Sequence, residues 1–187
     1  MSAAGAPEAL EPNVAIPHEE WLLRLNFNPE HIVDGAVIPS AVSLTDLKSR
    51  GYSVDREKLV DLTVVSERAS TFSEKNPEQR KTSFLSRFGC GPVCGEVDTE
   101  GKLAFCVEAS PVIANEAQKA NPAHAHIKSA VPRGEGSLRK IRMLLIPHLQ
   151  SLVALDEYIE KASNDDQKAD TAETSVPLSE AADPEKA

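Results

Sequence analysis

The chain has 187 residues and a formal net charge of −9, with 41% apolar, 26% charged and only 4% aromatic side chains. That length and balance point to one globular domain with an aliphatic core, and so few rings exclude a base-stacking platform for single-stranded nucleic acid. No run reaches the roughly 20 apolar residues of a membrane helix, and the N-terminal stretch lacks the basic and apolar regions of a secretory signal.

In chain order, residues 1–17 are small, proline-containing and too poor in large apolar side chains to pack, and they read as a disordered acidic tail. EEWLLRLNF is a strand or a short helix, since Trp21, Leu23 and Leu25 alternate but Leu22 spoils the alternation. In FNPEHIVDGAVIPSAVSL, Asn28-Pro29 and Asp34-Gly35 are turn pairs. Asp-Gly between apolar runs predicts a hairpin of residues 31–33 with 36–38, ended by Pro39. Asp55 is placed to N-cap a helix carrying Leu59, Leu62 and Val65, although Thr63-Val64-Val65 also suits a strand. SEKNPEQR reads as a loop, TSFLSRFGCGPVCGEV as the start of a second group of strands, and DTEG as a turn. Residues 102–109 form the clearest strand, and AHAHIKSAV a final one after the loop ANEAQKANP.

From Ser137 to about Ala162, Leu138, Ile141, Leu145, Leu149, Leu152, Leu155 and Ile159 recur at helical steps, with Ser137 as N-cap. Pro147 lies inside that pattern and predicts a kink or a break. Residues 162–187 read as a second disordered tail. The acidity belongs to the ends. Residues 1–20 hold four acids and no base, and 162–187 hold seven acids against Lys168 and Lys186, so the middle is neutral.

Four constellations bear on chemistry. Cys90 and Cys94 at C-x3-C, Cys106, and the His124/His126 pair are zinc-type ligands, but the spacing is irregular and no metal is expected. His31 near Asp34, or His124 with His126, suits acid–base work near neutral pH, with Cys90 or Cys94 as a possible nucleophile. Strand alternation puts His124 and His126 on one face, with Ala123, Ala125 and Ile127 on the other. Arg133, Arg139, Lys140 and Arg142 surround a glycine-flanked helix start that suits an anion, without any nucleotide fingerprint. The long apolar stripe suits either the protein's own sheet or a partner.

HIVDGAVIPSAVSL, GYSVDREKL and NPAHAHI, in that order, resemble a pattern of small bacterial proteins without an assigned activity. In these a His-x-x-x-Gly turn leads to Pro-Ser-Ala, then Ser-Val, and later Asn-Pro-Ala-His-Ala. The resemblance covers residues 31–127 discontinuously and departs at Val42, where the pattern has phenylalanine. It implies a single-domain cytosolic protein, and a site formed by the shared positions would be surrounded by His31, Ser53 and His124.

These readings predict an α+β fold, a small antiparallel sheet covered by a long, Pro-kinked C-terminal helix. The domain spans 18–161, between acidic tails at 1–17 and 162–187, in a cytoplasmic protein. Two functions follow. One is an accessory or interaction protein without catalysis, with a protein partner or self-association through the C-terminal helix. The other is a small His-dependent hydrolase or transferase acting on a phosphorylated or nucleotide substrate. Its catalytic candidates are His31, Ser53, His124 and His126, and its anion-binding candidates Arg133, Arg139, Lys140 and Arg142. No cofactor, nucleic acid or membrane partner is expected.

Overall fold

The computed structural model describes residues 9–116 and 119–173, with 165–173 described by backbone alone; the outer parts of both expected tails, 1–8 and 174–187, lie outside the described residues. The strands are β1 (Trp21–Pro29), β2 (Ile32–Val33), β3 (Ala36–Val37), β4 (Tyr52–Arg56), β5 (Arg80–Gly89), β6 (Phe105–Ala109), β7 (His124–Ser129) and β8 (Leu152–Ala154). The helices are α1 (Leu62–Lys75), α2 (Cys90–Cys94), α3 (Glu135–Leu145) and α4 (Leu155–Glu173), with single turns at Pro39–Ala41, Asp46–Arg50 and Ile146–Gln150. Six strands form an antiparallel sheet of order β6-β7-β4-β1-β5-β8, and β2 and β3 form a separate hairpin.

β1 runs through the middle of the sheet and is covered on both faces, which is why its leucines defeat a simple alternation. One face presents Leu22, Tyr52, Val54, Phe88, Phe105, Val107, Ala125 and Ile127 to a core completed by Leu138, Ile141, Leu145 and Leu149. The other buries Leu23, Leu25, Phe27 and Leu85. α1 lies over that second face, with Val65 and Ala69 buried, Phe72 edge-on to Phe27 at 6.1 Å, and Arg68 ion-paired to Asp55.

Local chemistry explains the turns. Asp34 and Gly35 both take positive φ, 51° and 78°, as a two-residue hairpin turn requires. Val37 is tied down by Gln150, whose side-chain amide accepts from its N–H (3.0 Å) and donates to its C=O (3.1 Å). α1 is N-capped by Asp61, whose carboxylate accepts from Thr63 N–H at 2.8 Å. Asp55, expected to cap that helix, lies instead in β4.

The C-terminal reading is corrected in the same way. The pattern from Ser137 to about Ala162 is not one kinked helix. α3 begins earlier, with Gly134 as N-cap, and gives way to a 3-10 turn at Ile146–Gln150 that contains Pro147. The chain then forms edge strand β8 on β5, with Arg87 N–H donating to Ser151 C=O (3.2 Å), before α4 begins. Proline removes the donor a continuing helix needs, and Val153 is β-branched and fits the edge pairing. α4, most of which forms a separate unit from Asp156 onward, opens with Asp156 and Glu157, which suit a helix N-terminus. No helix among the described residues is long and apolar enough to cross a membrane.

Residues 13–16 run along the outer edge of β6. Asn13 N–H donates to Ala109 C=O, Ala109 N–H to Val14 C=O, and Ile16 N–H to Val107 C=O. Ile16 is buried in the core, so this segment covers a sheet edge that would otherwise offer free peptide groups.

Candidate functional site

The site begins with a fault in the sheet. β4 pairs with β7 along Tyr52–Asp55, but with β1 only at Leu22–Arg56 and Leu23–Asp55. Beyond Leu23 the two strands part. Phe27 N–H and C=O, left on the open side, are both taken by His31: its Nδ1 accepts from Phe27 N–H (3.2 Å), and its own N–H donates to Phe27 C=O (2.7 Å). Two residues earlier, alternation turns the Leu25 peptide toward the same gap. Arg24 reaches across it, with Nη1 donating to Ser53 C=O (2.7 Å) and the guanidinium lying 4.3 Å over the Tyr52 ring.

A cavity of about 430 Å³ fills the gap, lined by Arg24, Leu25, Phe27, His31, Ser53, Asp55, Arg68, Phe72, Arg80, Val112 and His124. That is the size of an ordinary small-ligand site, with apolar walls and a few convergent polar groups. His31, Ser53 and His124, far apart in sequence, therefore meet in one hollow. His126 does not line it; it lies edge-on against His124, ring centroids 4.7 Å apart, and opposite Ser53 in the β4–β7 register.

Each cation has a distinct setting. Arg80 is pinned by Glu30, with Nη2 donating to Oε1 at 3.0 Å, and stacks between Phe27 and Phe72 at 5.3 Å from each. That guanidinium holds the Glu30 carboxyl below its usual range. Arg68 pairs with Asp55, which also accepts from Asn121 Nδ2 at 2.8 Å. Arg24 has no carboxylate partner among the described residues, and its buried Nε has no hydrogen-bond partner there.

The two cavity histidines use Nδ1 in opposite senses, His31 as an acceptor and His124 as a donor. His31 Nδ1 accepts, so the neutral ring carries its proton on Nε2. Burial, reinforced by Arg24 and only partly opposed by Glu30, pushes its pKa down to about 4. His124 Nδ1 faces the Ser110 carbonyl at 2.7 Å, an atom that can only accept, so Nδ1 donates to it. At neutral pH the cavity wall thus carries an uncharged His31 ring, whose Nε2 lies 3.8 Å from Glu30 Oε2.

His126 is likewise pushed down to about 4, by burial first and then by His124. Both His31 and His126 bind fewer protons folded than unfolded as pH falls below 6.5, the ordinary value for histidine. Their contribution to stability is therefore complete above that pH and lost as pH falls towards about 4. Urea unfolding at pH 7 and pH 5 should show a marked loss for the natural protein. The loss should be much smaller for a His31→Gln/His126→Gln variant, and equal pH slopes for the two would remove this account.

The basic residues near α3 form no comparable site. Arg133 is buried against Asp98, with Nη2 donating to Leu103 C=O (2.9 Å) and Nε to Ser129 Oγ (3.1 Å). Arg139 pairs with Glu135 on the exposed helix surface. Lys140 and Arg133 line a smaller hollow of about 260 Å³ that also holds Asp98 and Glu100, and Arg139 and Arg142 lie outside it. The acids offset the charge that an anion would need.

Sequence reasoning missed Arg24, Arg68 and Arg80. Arg24 carried the one available signal, a charge inside an otherwise apolar strand run; Arg68 and Arg80 are placed only by α1 folding over β1. Among the described residues no group of three or more His, Cys, Asp or Glu side chains is disposed to hold a metal ion. No family model, curated protein or solved structure matches the chain.

Proposed function

We propose that this cavity binds a small phosphorylated or nucleotide ligand, on which the protein acts as a histidine-dependent hydrolase or transferase. The observation that carries the reading is Arg24, a cation without a carboxylate, set in a hollow whose other arginines are already neutralised. A phosphate oxygen there meets a guanidinium fork at little reorganisation cost. His124 Nε2 takes the proton of the attacking water or hydroxyl as the new P–O bond forms. Arg24 and the His31 N–H meet the charge that develops as the bond to the leaving group breaks. His31, held neutral, serves as a hydrogen-bond donor rather than as a cationic acid. Ser53 lines the ligand space, and His126 steadies His124 through its ring edge.

The interaction reading has less support, because Leu138, Ile141, Leu145, Leu149 and Leu155, five of the seven residues of the stripe a partner would use, are buried in the protein's own core. We place the protein in the cytoplasm, where three cysteines outside any disulfide fit a reducing compartment; the bacterial setting remains what the sequence resemblance implies.

Calorimetric titration with inorganic phosphate and with nucleoside monophosphates tests the site. Binding is expected for the natural protein and should fall about 10- to 100-fold in Arg24→Gln, the range of a charged hydrogen bond. His124→Ala should keep the ligand but lose about 10²- to 10⁴-fold in turnover of a phosphoester. No binding by the natural protein, or equal binding by Arg24→Gln, overturns the proposal.

A further inference from the structure

A second chemical feature lies away from the cavity. α2 is a single helical turn, CGPVC, flanked by Gly89 and Gly95, and its first and last residues are cysteines. Positions i and i+4 of a helix are neighbours on one face, and here the two sulfurs are 3.8 Å apart. The turn is held from outside its own ladder: Cys90 N–H donates to Glu20 C=O (2.9 Å) and Gly91 N–H to His18 C=O (2.9 Å). The sulfurs differ in setting. Cys90 is fully buried, its Sγ 3.7 Å from the Ile16 carbonyl, whereas Cys94 is partly open to solvent.

We propose that Cys90 and Cys94 are a reversible dithiol–disulfide pair, oxidised by a hydroperoxide that reacts at the accessible Cys94. The hydrogen bond from Cys90 holds the Cys94 thiol down at about 6, against burial and with help from His18. The same contact and burial push Cys90 up, with Glu20 and Glu19 adding to the effect. The nearby Cys106 thiol is also raised, chiefly by burial, so Cys94 is the thiolate of the three at neutral pH.

The Cys94 thiolate attacks a peroxide oxygen. An S–O bond forms, the O–O bond breaks, and hydroxide or alkoxide leaves and takes a proton. The Cys90 sulfur then attacks the sulfenic acid: the S–S bond forms, the S–O bond breaks, and the hydroxyl departs as water with the Cys90 proton. One hydroperoxide is reduced by two electrons, which the two thiols supply. Closing the sulfurs to about 2.05 Å needs rotation of both side chains and some reshaping of the turn. A bond made against such resistance is easily reduced, so two equivalents of a monothiol return the pair to the dithiol by exchange.

The test uses the full chain exposed to hydrogen peroxide, then denatured, alkylated with iodoacetamide and weighed intact. Untreated protein should gain three adducts and oxidised protein one, on Cys106, with three recovered after treatment with a monothiol. Cys94→Ser should gain two adducts before and after peroxide, and Cys90→Ser should yield a Cys94 sulfenic acid that dimedone labels. Three adducts after peroxide, a disulfide that includes Cys106, or a sulfinic Cys94 beside a free Cys90 would each overturn the inference. None of these readings depends on the ligand of the arginine-lined cavity.

Discussion

Replacing Glu20 by alanine is expected to destabilise the fold by about 3–5 kcal/mol, the cost of removing one partner of a buried ion pair. Arg56, 2% exposed, reaches Glu20, 8% exposed, through two parallel hydrogen bonds of 2.7 Å, from Nε to Oε2 and from Nη2 to Oε1. Truncation leaves the guanidinium in a dry setting without its carboxylate, a larger loss than the net worth of the pair. Glu20→Gln keeps the shape and one acceptor and should cost less. A double change of Glu20 and Arg56 to apolar residues of similar volume should recover much of the loss, because both desolvation penalties disappear together. Urea unfolding with an unchanged denaturant slope measures this; a loss below about 1 kcal/mol for Glu20→Ala would falsify the assignment.

Gly51→Ala should be nearly as damaging, for a different reason. Gly51 sits at φ +90°, immediately before β4, and a Cβ built there would lie 2.2 Å from His126 Cγ and 2.5 Å from His126 Cβ. The backbone term is about 1–3 kcal/mol and the crowding about another 1–3 kcal/mol. The two separate in a double variant. His126→Ala relieves crowding with the ring but leaves the Cβ contact and the backbone strain, so Gly51→Ala/His126→Ala should regain only part of the loss. Full recovery, or none, would contradict this division. Because the His126 ring leans on His124, the single variant should also weaken ligand binding in the adjoining cavity.

What could be read from sequence was what depends on neighbours along the chain. The Asp34-Gly35 hairpin and the alternating His124–Ile127 strand follow from turn chemistry and a period of two. β4 was not legible, because Ser53, Asp55 and Arg56 look like loop residues until their partners arrive: the cavity, Arg68 with Asn121, and Glu20. β8 was hidden because Leu152 and Leu155 keep helical spacing with α3, although a 3-10 turn follows α3, Leu152 lies in the strand itself and Leu155 begins the next helix. The single Ile16 that anchors residues 13–16 vanishes in the average polarity of its segment. His31, Ser53 and His124 were named from short motifs, but the arginines around them come from β1, α1 and β5, whose meeting is tertiary.

The fault between β1 and β4 has a mechanical side. Among the described residues, the block β6-β7-β4 meets the block β1-β5-β8 within the sheet through two residue pairs, Leu22–Arg56 and Leu23–Asp55, with Glu57 N–H donating to Trp21 C=O (2.9 Å) beside them. Arg24 belongs to one block and Ser53, Asp55 and His124 to the other. A ligand held by both would act as a stitch across an unfinished seam, so that occupancy and cohesion of the two halves rise and fall together.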